Sequence, residues 1–279
     1  MLPINSDGIY RGLEAALYDH FWANADDDAE ITAATVDFLL ETARAASGHD
    51  SPRILEAGCG SGRILAPLLA KGADAIGIDE SAPMIQKAIA DLGSQRAIKS
   101  SITATPFDAG SFDAVVAPGF TLMLVPDKTF DAFIAEATRL LTPSGIVIFD
   151  WFIPWDEIAD DTLTADEDDW SPWQESKAIE LPTAALPEVP SAHTAIYEQR
   201  SRINRLRQIV IRNQRFTVRD KSGKTLASEE SIQNQRWFFP AELTARLAPH
   251  GLVIRELVGD YEDKPAGDWN TVLTAVIGR

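Results

Sequence analysis

Short apolar runs alternate with helical patterns through the first 150 residues of the chain. The runs RILEAG, ADAIGID, FDAVVAPG and GIVIFDWF are bounded by turn residues and predict buried strands, and QRAIKSSIT predicts a weaker one. Between them, GRILAPLLAKG, SAPMIQKAIADLG and DKTFDAFIAEATRLL have helical spacing. Apolar strands that alternate with helices predict an α/β fold, in which helices cover both faces of a parallel sheet.

Two more helical patterns, LEAALYDHFW and AEITAATVDFLLETARAA, precede the first strand. In the SAPMIQKAIADLG segment, Ser81 is the expected N-cap and Gly93 the expected stop. The apolar positions of the second pattern are predicted to form one buried stripe of Ile31, Val36, Phe38, Leu39 and Leu40.

The pattern changes at about residue 151. Residues 154–192 are rich in Pro, Asp and Trp without a clear period, and residues 195–237 predict an antiparallel β meander around the turn KSGK. The segments PAELTARLAPHG, LVIRELVGDY and WNTVLTAVIG then predict a helix and two closing strands. The predicted division is a helical cap at 1–50, an α/β core at 51–153, an irregular connection and β lid at 154–238, and the rest of the core at 239–279.

Composition narrows the function classes. The 279 residues carry a formal net charge of −17, which disfavours binding to nucleic acid or to anionic membranes. A single cysteine forms no internal disulfide, and we find neither a signal-peptide pattern nor an apolar run of membrane-spanning length. We therefore expect a cytoplasmic protein, either a monomer or a homodimer.

The stretch EAGCGSGR follows the first predicted strand. Glycines at every second position let the backbone approach a ligand closely. A dinucleotide loop needs G-x-G-x-x-G, but Arg63 stands where the third glycine belongs. Glu56 would repel a phosphate and suits an ammonium group. Asp79, 17 positions after Gly62, is placed to accept both hydroxyls of a ribose. A ribose joined to an amino acid without a phosphate describes S-adenosylmethionine (SAM).

Cys59 has a second interpretation, as a nucleophile. A helix N-terminus can lower a thiol pKa, but no histidine lies near Cys59 in sequence. We therefore expect Cys59 to be a small spacer. The scattered histidines and the single cysteine also lack the spacing of a metal site, so no metal is predicted.

The sequence resembles the class I SAM-dependent methyltransferases over about residues 50–150. The resemblance rests on ILEAGCGSG, GIDES followed by Met84, TPFDAGSFDAVVAPG and RLLTPSGIVIFD. It implies a Rossmann-like, doubly wound, seven-stranded and mostly parallel sheet, whose last strand is antiparallel, with an antiparallel β insertion after strand 5. It also implies SAM as cofactor and S-adenosylhomocysteine as product.

The resemblance implies roles for individual residues. Ser101 stands where the family often has an aspartate, so the contact to the adenine amino group is the least secure of these roles. The implied cofactor-binding residues are Tyr18, Glu56, Ala57, Gly58, Cys59, Gly60, Gly62, Asp79, Glu80, Met84, Ser101, Ile102 and Ala117, and Pro118 and Gly119 would adjoin the methionine moiety.

The sequence indicates the methyl acceptor less clearly than it indicates the cofactor. The stretch APGF replaces the [DN]-P-P-[YF] of many enzymes that methylate bases or glutamine. The C-terminal third, with RWFFPAEL and GDY (Gly259, Asp260, Tyr261), resembles the lid of small-molecule N- and O-methyltransferases, such as sugar-amine N-methyltransferases. We expect an N or O acceptor on a small molecule bound under the lid. No catalytic residue is identified; the candidate acceptor residues are Tyr10, Trp22, Phe120, Trp151, Arg236, Trp237 and Tyr261.

Other interpretations stay open at this point. The chain could bind SAM without transferring methyl, act on a protein, or be a nicotinamide-dependent oxidoreductase. The seven arginines from Arg200 to Arg219 could pair with carboxylates on a solvated face, or bind an anionic substrate or a second copy. The tryptophans Trp155, Trp170 and Trp173 could line an acceptor pocket or attach the irregular connection to the core.

Overall fold

The computed structural model describes residues 10–23, 26–166, 168–259, 261, 265–267 and 270–279, with only the backbone of 23 and 26–28. The chain forms two compact units. The core unit comprises Glu30–Pro154 and Arg236–Arg279, and the insertion unit comprises Met1–Ala29 and Trp155–Gln235. The four-segment division predicted from sequence stays a prediction.

The core unit contains the predicted seven-stranded sheet. Its order is β3-β2-β1-β4-β5-β11-β10, and β11 is antiparallel to both of its neighbours while the others run parallel. The Rossmann-like prediction, including the antiparallel last strand, is confirmed. The strands are β1 Arg53–Ala57, β2 Asp74–Asp79, β3 Ala97–Lys99, β4 Phe112–Ala117, β5 Leu141–Phe152, β10 Val253–Gly259 and β11 Val272–Gly278.

Helices connect these strands. Ser81 is the N-cap of α4, because its Oγ accepts a hydrogen bond from Met84 N at 3.4 Å, and Gly93 ends the helix with a φ of 85°. The helices that belong wholly or mostly to this unit are α2 Asp26–Ser47, α3 Leu65–Ala70, α4 Ala82–Leu92, α5 Asp127–Leu140 and α7 Pro240–Leu247.

The stripe predicted on α2 needs one correction. Val36, Phe38, Leu39 and Leu40 are buried in the core, but Ile31 is 60% exposed. Residues 36, 39, 40 and 43 follow the i, i+3, i+4, i+7 spacing of one helix face, and residue 31 does not fall on that face.

The insertion unit contains a four-stranded antiparallel sheet in the order β6-β7-β8-β9. Three of its strands are the predicted meander. The fourth, β6, lies in the segment predicted to be irregular, because QESKAIE has no complete alternation of apolar residues. The elements are α1 Gly12–Tyr18, a π-helical turn Asp19–Ala23, α6 Trp155–Ala159, β6 Gln174–Glu180, β7 Thr194–Asn204, β8 Ile209–Arg219 and β9 Thr225–Arg236.

Several of the lid arginines contact the irregular connection. The Arg200 guanidinium lies 4.8 Å from the Trp170 ring centroid and 4.6 Å from that of Trp173. Arg205 donates to the carbonyl oxygens of Ile158 and Leu163 at 3.0 and 2.8 Å. These contacts favour the structural interpretation of both the arginines and the tryptophans, because they attach a segment of little regular structure to the sheet.

Candidate functional site

The glycine loop begins where β1 ends. Gly58 N and Cys59 N both donate to the carbonyl of Ile78 on β2, at 2.8 and 3.0 Å. Gly60 N donates to Asp79 Oδ2 at 2.8 Å, and Ser81 N donates to Asp79 Oδ1 at 2.7 Å. Asp79 therefore holds the loop after β1 and the first turn of α4 together at the carboxyl edge of the sheet.

Two of the loop glycines are required by their surroundings. Gly58 has a φ of 76°, and a Cβ there would collide with Thr121 Cγ2. Gly60 has a φ of 56°, and a Cβ would come within 3.3 Å of the terminal methyl of Met84. Since L-residues rarely adopt such φ values, the loop depends on glycine for both its conformation and its open surface.

Cys59 is a packed side chain. Its Sγ would lie only 2.7 Å from a Cβ at Gly77, so the thiol occupies the space that this glycine leaves on β2. Burial, with added repulsion from Glu56 and Asp79, raises the pKa of the Cys59 thiol far above its ordinary value. A thiol that stays protonated is a poor nucleophile, in agreement with the interpretation as a spacer.

Glu56 is a buried carboxyl group near the end of β1. The residue is 2% exposed, and its Oε2 has no hydrogen-bond partner among the described residues. Burial raises the pKa of Glu56 to about 8; the charge of Arg63 opposes this shift and that of Asp79 adds to it. Such a carboxyl group favours a ligand that brings its own positive charge.

The other predicted cofactor residues surround the same edge. Asp79 is half-buried, and burial raises its pKa. Glu80 is exposed, whereas Ala57, Met84, Ile102 and Ala117 are buried. Ser101 follows β3, and its Oγ lies 3.0 Å from Thr103 Oγ1. The structure thus brings together the ends of β1 to β4, where ligands bind in open α/β sheets.

Asp150, near the end of β5, was missed by the sequence reasoning. It is 2% exposed and accepts hydrogen bonds from Gly119 N at 3.0 Å, from Phe120 N at 2.7 Å and from the Tyr261 hydroxyl. Gly119 and Phe120 have φ values of 72° and 61°. One buried carboxylate therefore holds the loop after β4 in a left-handed conformation. The acid in the apolar run GIVIFDWF was the available signal.

The candidate acceptor residues of the core unit divide into two groups. Phe120 is half-buried with its ring centroid 5.2 Å from that of Phe152, and Tyr261 bonds to Asp150, so both lie near the loop after β4. Trp151 is fully buried and its Nε1 donates to Phe238 O at 2.8 Å.

Arg236 and Trp237 mark the return of the chain to the core unit. Arg236 pairs with Glu242 and lies 3.5 Å from Asp127, and Trp237 is 1% exposed. The structure therefore places Arg236 and Trp237, like Trp151, in packing or ion-pair positions. Asp260, the middle residue of the GDY stretch, lies outside the described residues.

Tyr10, Tyr18 and Trp22 belong to the insertion unit. The ring centroids of Tyr10 and Tyr18 are 5.4 Å apart, as are those of Tyr18 and Trp22. Trp22 also lies 5.4 Å from Tyr197 on β7. The three predicted residues therefore form one aromatic row in that unit, and their roles toward SAM or acceptor stay predictions.

Two kinds of feature are absent from the described part of the chain. None of its helices has the length and apolar character needed to cross a membrane. In the same residues, no three or more His, Cys, Asp or Glu side chains are grouped so that they could hold a metal ion.

Comparison with known proteins adds independent information. A family model described as a methyltransferase domain matches residues 54–145. A putative methyltransferase, YqeM, of Bacillus subtilis (strain 168) is 26% identical over 252 residues, which cover 84% of this chain and 97% of that protein.

Two solved structures share the fold. A SAM-dependent methyltransferase from Clostridium acetobutylicum ATCC 824 has a TM-score of 0.69 at 16% identity and covers 95% of this chain and 96% of its own. SAM-bound CalS10, an amino pentose methyltransferase from Micromonospora echinaspora, has a TM-score of 0.64 at 17% identity, with 97% and 98% covered.

Proposed function

We propose that this chain, a class I SAM-dependent methyltransferase, transfers the methyl group to a nitrogen or oxygen atom of a small-molecule acceptor. The class of acceptor is inferred from the conformation of the loop after β4. Asp150 accepts hydrogen bonds from Gly119 N and Phe120 N, which hold this backbone in a left-handed turn, and the loop residues 117–121, APGFT, include no asparagine or glutamine whose carboxamide could hold a planar base or amide. The net charge of −17 also disfavours a nucleic-acid acceptor. CalS10, which shares the fold over nearly the whole chain, supports a small amine-bearing acceptor.

The residues at the carboxyl edge of the sheet fit SAM. The unpartnered Oε2 of Glu56 suits the ammonium, and the positive-φ glycines leave room for the methionine moiety. Each Asp79 oxygen accepts one backbone N–H and keeps a lone pair for a ribose hydroxyl. Met84 and Ile102 offer apolar surface to the adenine. We propose that this set, with Ala57, Ser101 and Ala117, binds the cofactor.

Methyl transfer from SAM needs little chemical activation by the protein. SAM supplies a methyl group that its sulfonium already activates. The described residues can orient the reactants and exclude water, which for an in-line displacement provides much of the catalysis. Burial, and then the neighbouring Asp150 charge, raises the pKa of Tyr261 well above its ordinary value, so its hydroxyl stays protonated. Asp150 is occupied by three donors. Neither is therefore a ready general base, which favours an acceptor that arrives with a free lone pair.

A panel experiment tests the acceptor class. The protein is incubated with SAM and amino sugars, simple amines, phenols or small carboxylic acids, and in parallel with total protein and RNA. Mass spectrometry follows S-adenosylhomocysteine and the methylated product. We expect product in a small-molecule arm. Methylation confined to the protein or RNA arm would overturn the proposal.

Glu56 makes SAM binding depend on pH. With a pKa of about 8, the free carboxyl group is protonated at neutral pH, and an ammonium placed against it favours the ionised form. Binding then releases a proton, so SAM affinity should rise between pH 6 and 8, by at most about tenfold per pH unit. Calorimetry in two buffers of different ionisation enthalpy measures the release.

The Glu56→Gln variant is the control for this prediction. It cannot ionise at this position, so the part of the proton release that Glu56 supplies should disappear. Equal proton release by the native chain and the variant would show that Glu56 does not meet the ammonium.

A further inference from the structure

Three arginines and two tryptophans form one cluster in the insertion unit. The Cζ atoms of Arg200 and Arg202 lie 4.8 and 4.5 Å from the ring centroid of Trp170. The Cζ atoms of Arg200 and Arg215 lie 4.6 and 4.1 Å from the ring centroid of Trp173. Arg200 is thus the member that contacts both rings. We call these five residues the arginine–tryptophan cluster.

The cluster lies on one face of the four-stranded sheet. Successive side chains of a strand point to opposite faces, so Arg200 and Arg202 on β7 are on the face opposite to Tyr197. The Tyr197 ring centroid lies 5.4 Å from that of Trp22, so the aromatic row of the candidate acceptor residues is on the other face. A ligand of the cluster is therefore separate from a ligand that contacts this row.

Arg200 has no described protein partner for its charge. It is half-buried, its Nε has no hydrogen-bond partner among the described residues, and none of their carboxylates forms an ion pair with it. Arg215 differs, because both oxygens of Glu198 accept hydrogen bonds from it at 2.8 Å. The rings contact the Arg200 guanidinium, but they are no partners for its five N–H donors, which lie in one plane.

Two neighbours of Arg200 also have a buried polar atom without a partner. Arg202 is 5% exposed, and its Nη1 donates to Asp166 O at 3.1 Å while its Nε has no described partner. Asn213 lies directly opposite Arg200 in the pairing of β7 with β8. It is 4% exposed, its Nδ2 donates to Glu230 at 3.0 Å, and its Oδ1 has no described partner. This face of the sheet thus offers two guanidinium donors and one carbonyl acceptor.

We propose that the arginine–tryptophan cluster binds a small oxyanion that also carries a hydroxyl group. A guanidinium binds two oxygens of a phosphate or carboxylate through parallel N–H bonds, and Arg200 supplies this fork with Arg202 beside it. Asn213 Oδ1 accepts the hydrogen bond of the hydroxyl. The two indole rings exclude water from one side of the site, which strengthens the charged hydrogen bonds.

The acids around the cluster restrict it to a small ligand. Glu198 and Glu230 lie 2.8 and 4.0 Å from Arg215 and offset its charge. The exposed Asp168 and Asp169 directly precede the first tryptophan of the cluster. Negative charges within a Debye length, about 8 Å, repel an extended polyanion such as RNA. The other two arginines stay available for a single oxyanion.

NMR of the indole N–H groups tests the proposal without SAM or a methyl acceptor. The chain has seven tryptophans, and a Trp→Phe variant assigns the signal of each one used. Sodium phosphate replaces sodium chloride at constant ionic strength and pH 7, so that general screening stays the same. We expect the signals of Trp170 and Trp173 to shift to saturation with a half-point of roughly 1–10 mM. The signal of Trp151, buried in the core unit, should stay in place.

Three variants assign the binding to the guanidinium. Arg200→Gln should raise the half-point at least about tenfold. Arg219→Gln is the charge-matched control, because Arg219 is exposed at the end of β8, and its half-point should stay within about twofold of the native value. Arg200→Lys keeps the charge without the planar fork, should weaken binding at least about threefold, and replaces Arg200→Gln if that variant does not fold.

A comparison of anions defines the ligand. Sulfate has no hydroxyl at pH 7, so it should bind at least about threefold more weakly than phosphate, and acetate should bind more weakly than lactate for the same reason. The tighter of phosphate and lactate identifies the oxyanion. Equal binding within both pairs would overturn the role of Asn213 and the need for a hydroxyl.

Two results would overturn the binding site itself. Shifts that grow without saturation, or that are the same in Arg200→Gln, would show a general effect of the salt. A dimer that sedimentation detects for the native chain but not for Arg200→Gln would show that an acidic side chain of a second copy occupies the cluster in place of a small ligand.

Discussion

The Asp79→Ala variant is expected to bind SAM about 100-fold more weakly than the native chain, a loss of about 3 kcal/mol. Two contributions combine. The variant lacks the acceptor proposed for the ribose hydroxyls, and it leaves Gly60 N and Ser81 N without the carboxylate that holds them. The glycine loop therefore loses its anchor together with the ligand contact. For this reason we expect the loss of SAM affinity to lie at the upper end of the range for charged hydrogen bonds. Calorimetric titration with SAM and with S-adenosylhomocysteine measures it.

Asp74→Ala is the matched control. Asp74 begins the same strand β2, its side chain is 52% exposed, and it pairs with Arg96 at 2.5 Å. An exposed pair of this kind contributes little to stability, and the residue lies at the opposite edge of the sheet from the site. We expect SAM affinity within about twofold of the native value. An unchanged affinity in Asp79→Ala would refute the ribose assignment.

The sequence predicted the sheet well because its strands are buried on both faces. FDAVVA is buried at all six positions of β4, and such a run is visible without any partner. The glycine loop was equally visible, since residues other than glycine rarely adopt its positive φ values. Strand β6 was not, because QESKAIE is mostly exposed and forms a strand only where β7 supplies the hydrogen bonds.

The site was predictable only in part, because some of its residues contact partners that are distant in sequence. Glu56 and Asp79 end strands in the order that the family pattern implies, so their proximity followed from the topology. Asp150 binds a loop, and Arg63 binds a helix, 30 or more residues away in sequence, and no local pattern reveals such a partner. Buried charged groups in apolar runs are the signal that sequence reasoning could have used for Asp150.

The Asp150→Ala variant is expected to be about 3–5 kcal/mol less stable than the native chain. It leaves three donors, Gly119 N, Phe120 N and the Tyr261 hydroxyl, without the buried carboxylate that accepts their partly buried hydrogen bonds. Tyr261→Phe removes one of these donors and should cost about 1–2 kcal/mol. The midpoints of denaturant-induced unfolding measure both changes.

The same variant distinguishes a residue that positions the loop from one that only stabilises the fold. Without Asp150, Gly119 N and Phe120 N lose the carboxylate that holds them at positive φ values, so the loop after β4 should relax. With an acceptor found in the panel, we expect kcat to fall about 100-fold at a temperature where the variant is folded, while SAM affinity changes much less.

Asp113→Ala is the control for this comparison. Asp113 is 7% exposed, lies on β4 at the other edge of the sheet, and accepts a hydrogen bond from Arg53 N at 2.9 Å. Its removal should also lower stability, because it leaves buried polar groups unpaired, but kcat should stay near the native value. If both variants reduce kcat to the same degree, the effect of Asp150 is general destabilisation. A fall in kcat confined to Asp150→Ala would assign the conformation of the loop after β4 to this carboxylate, as its hydrogen bonds imply.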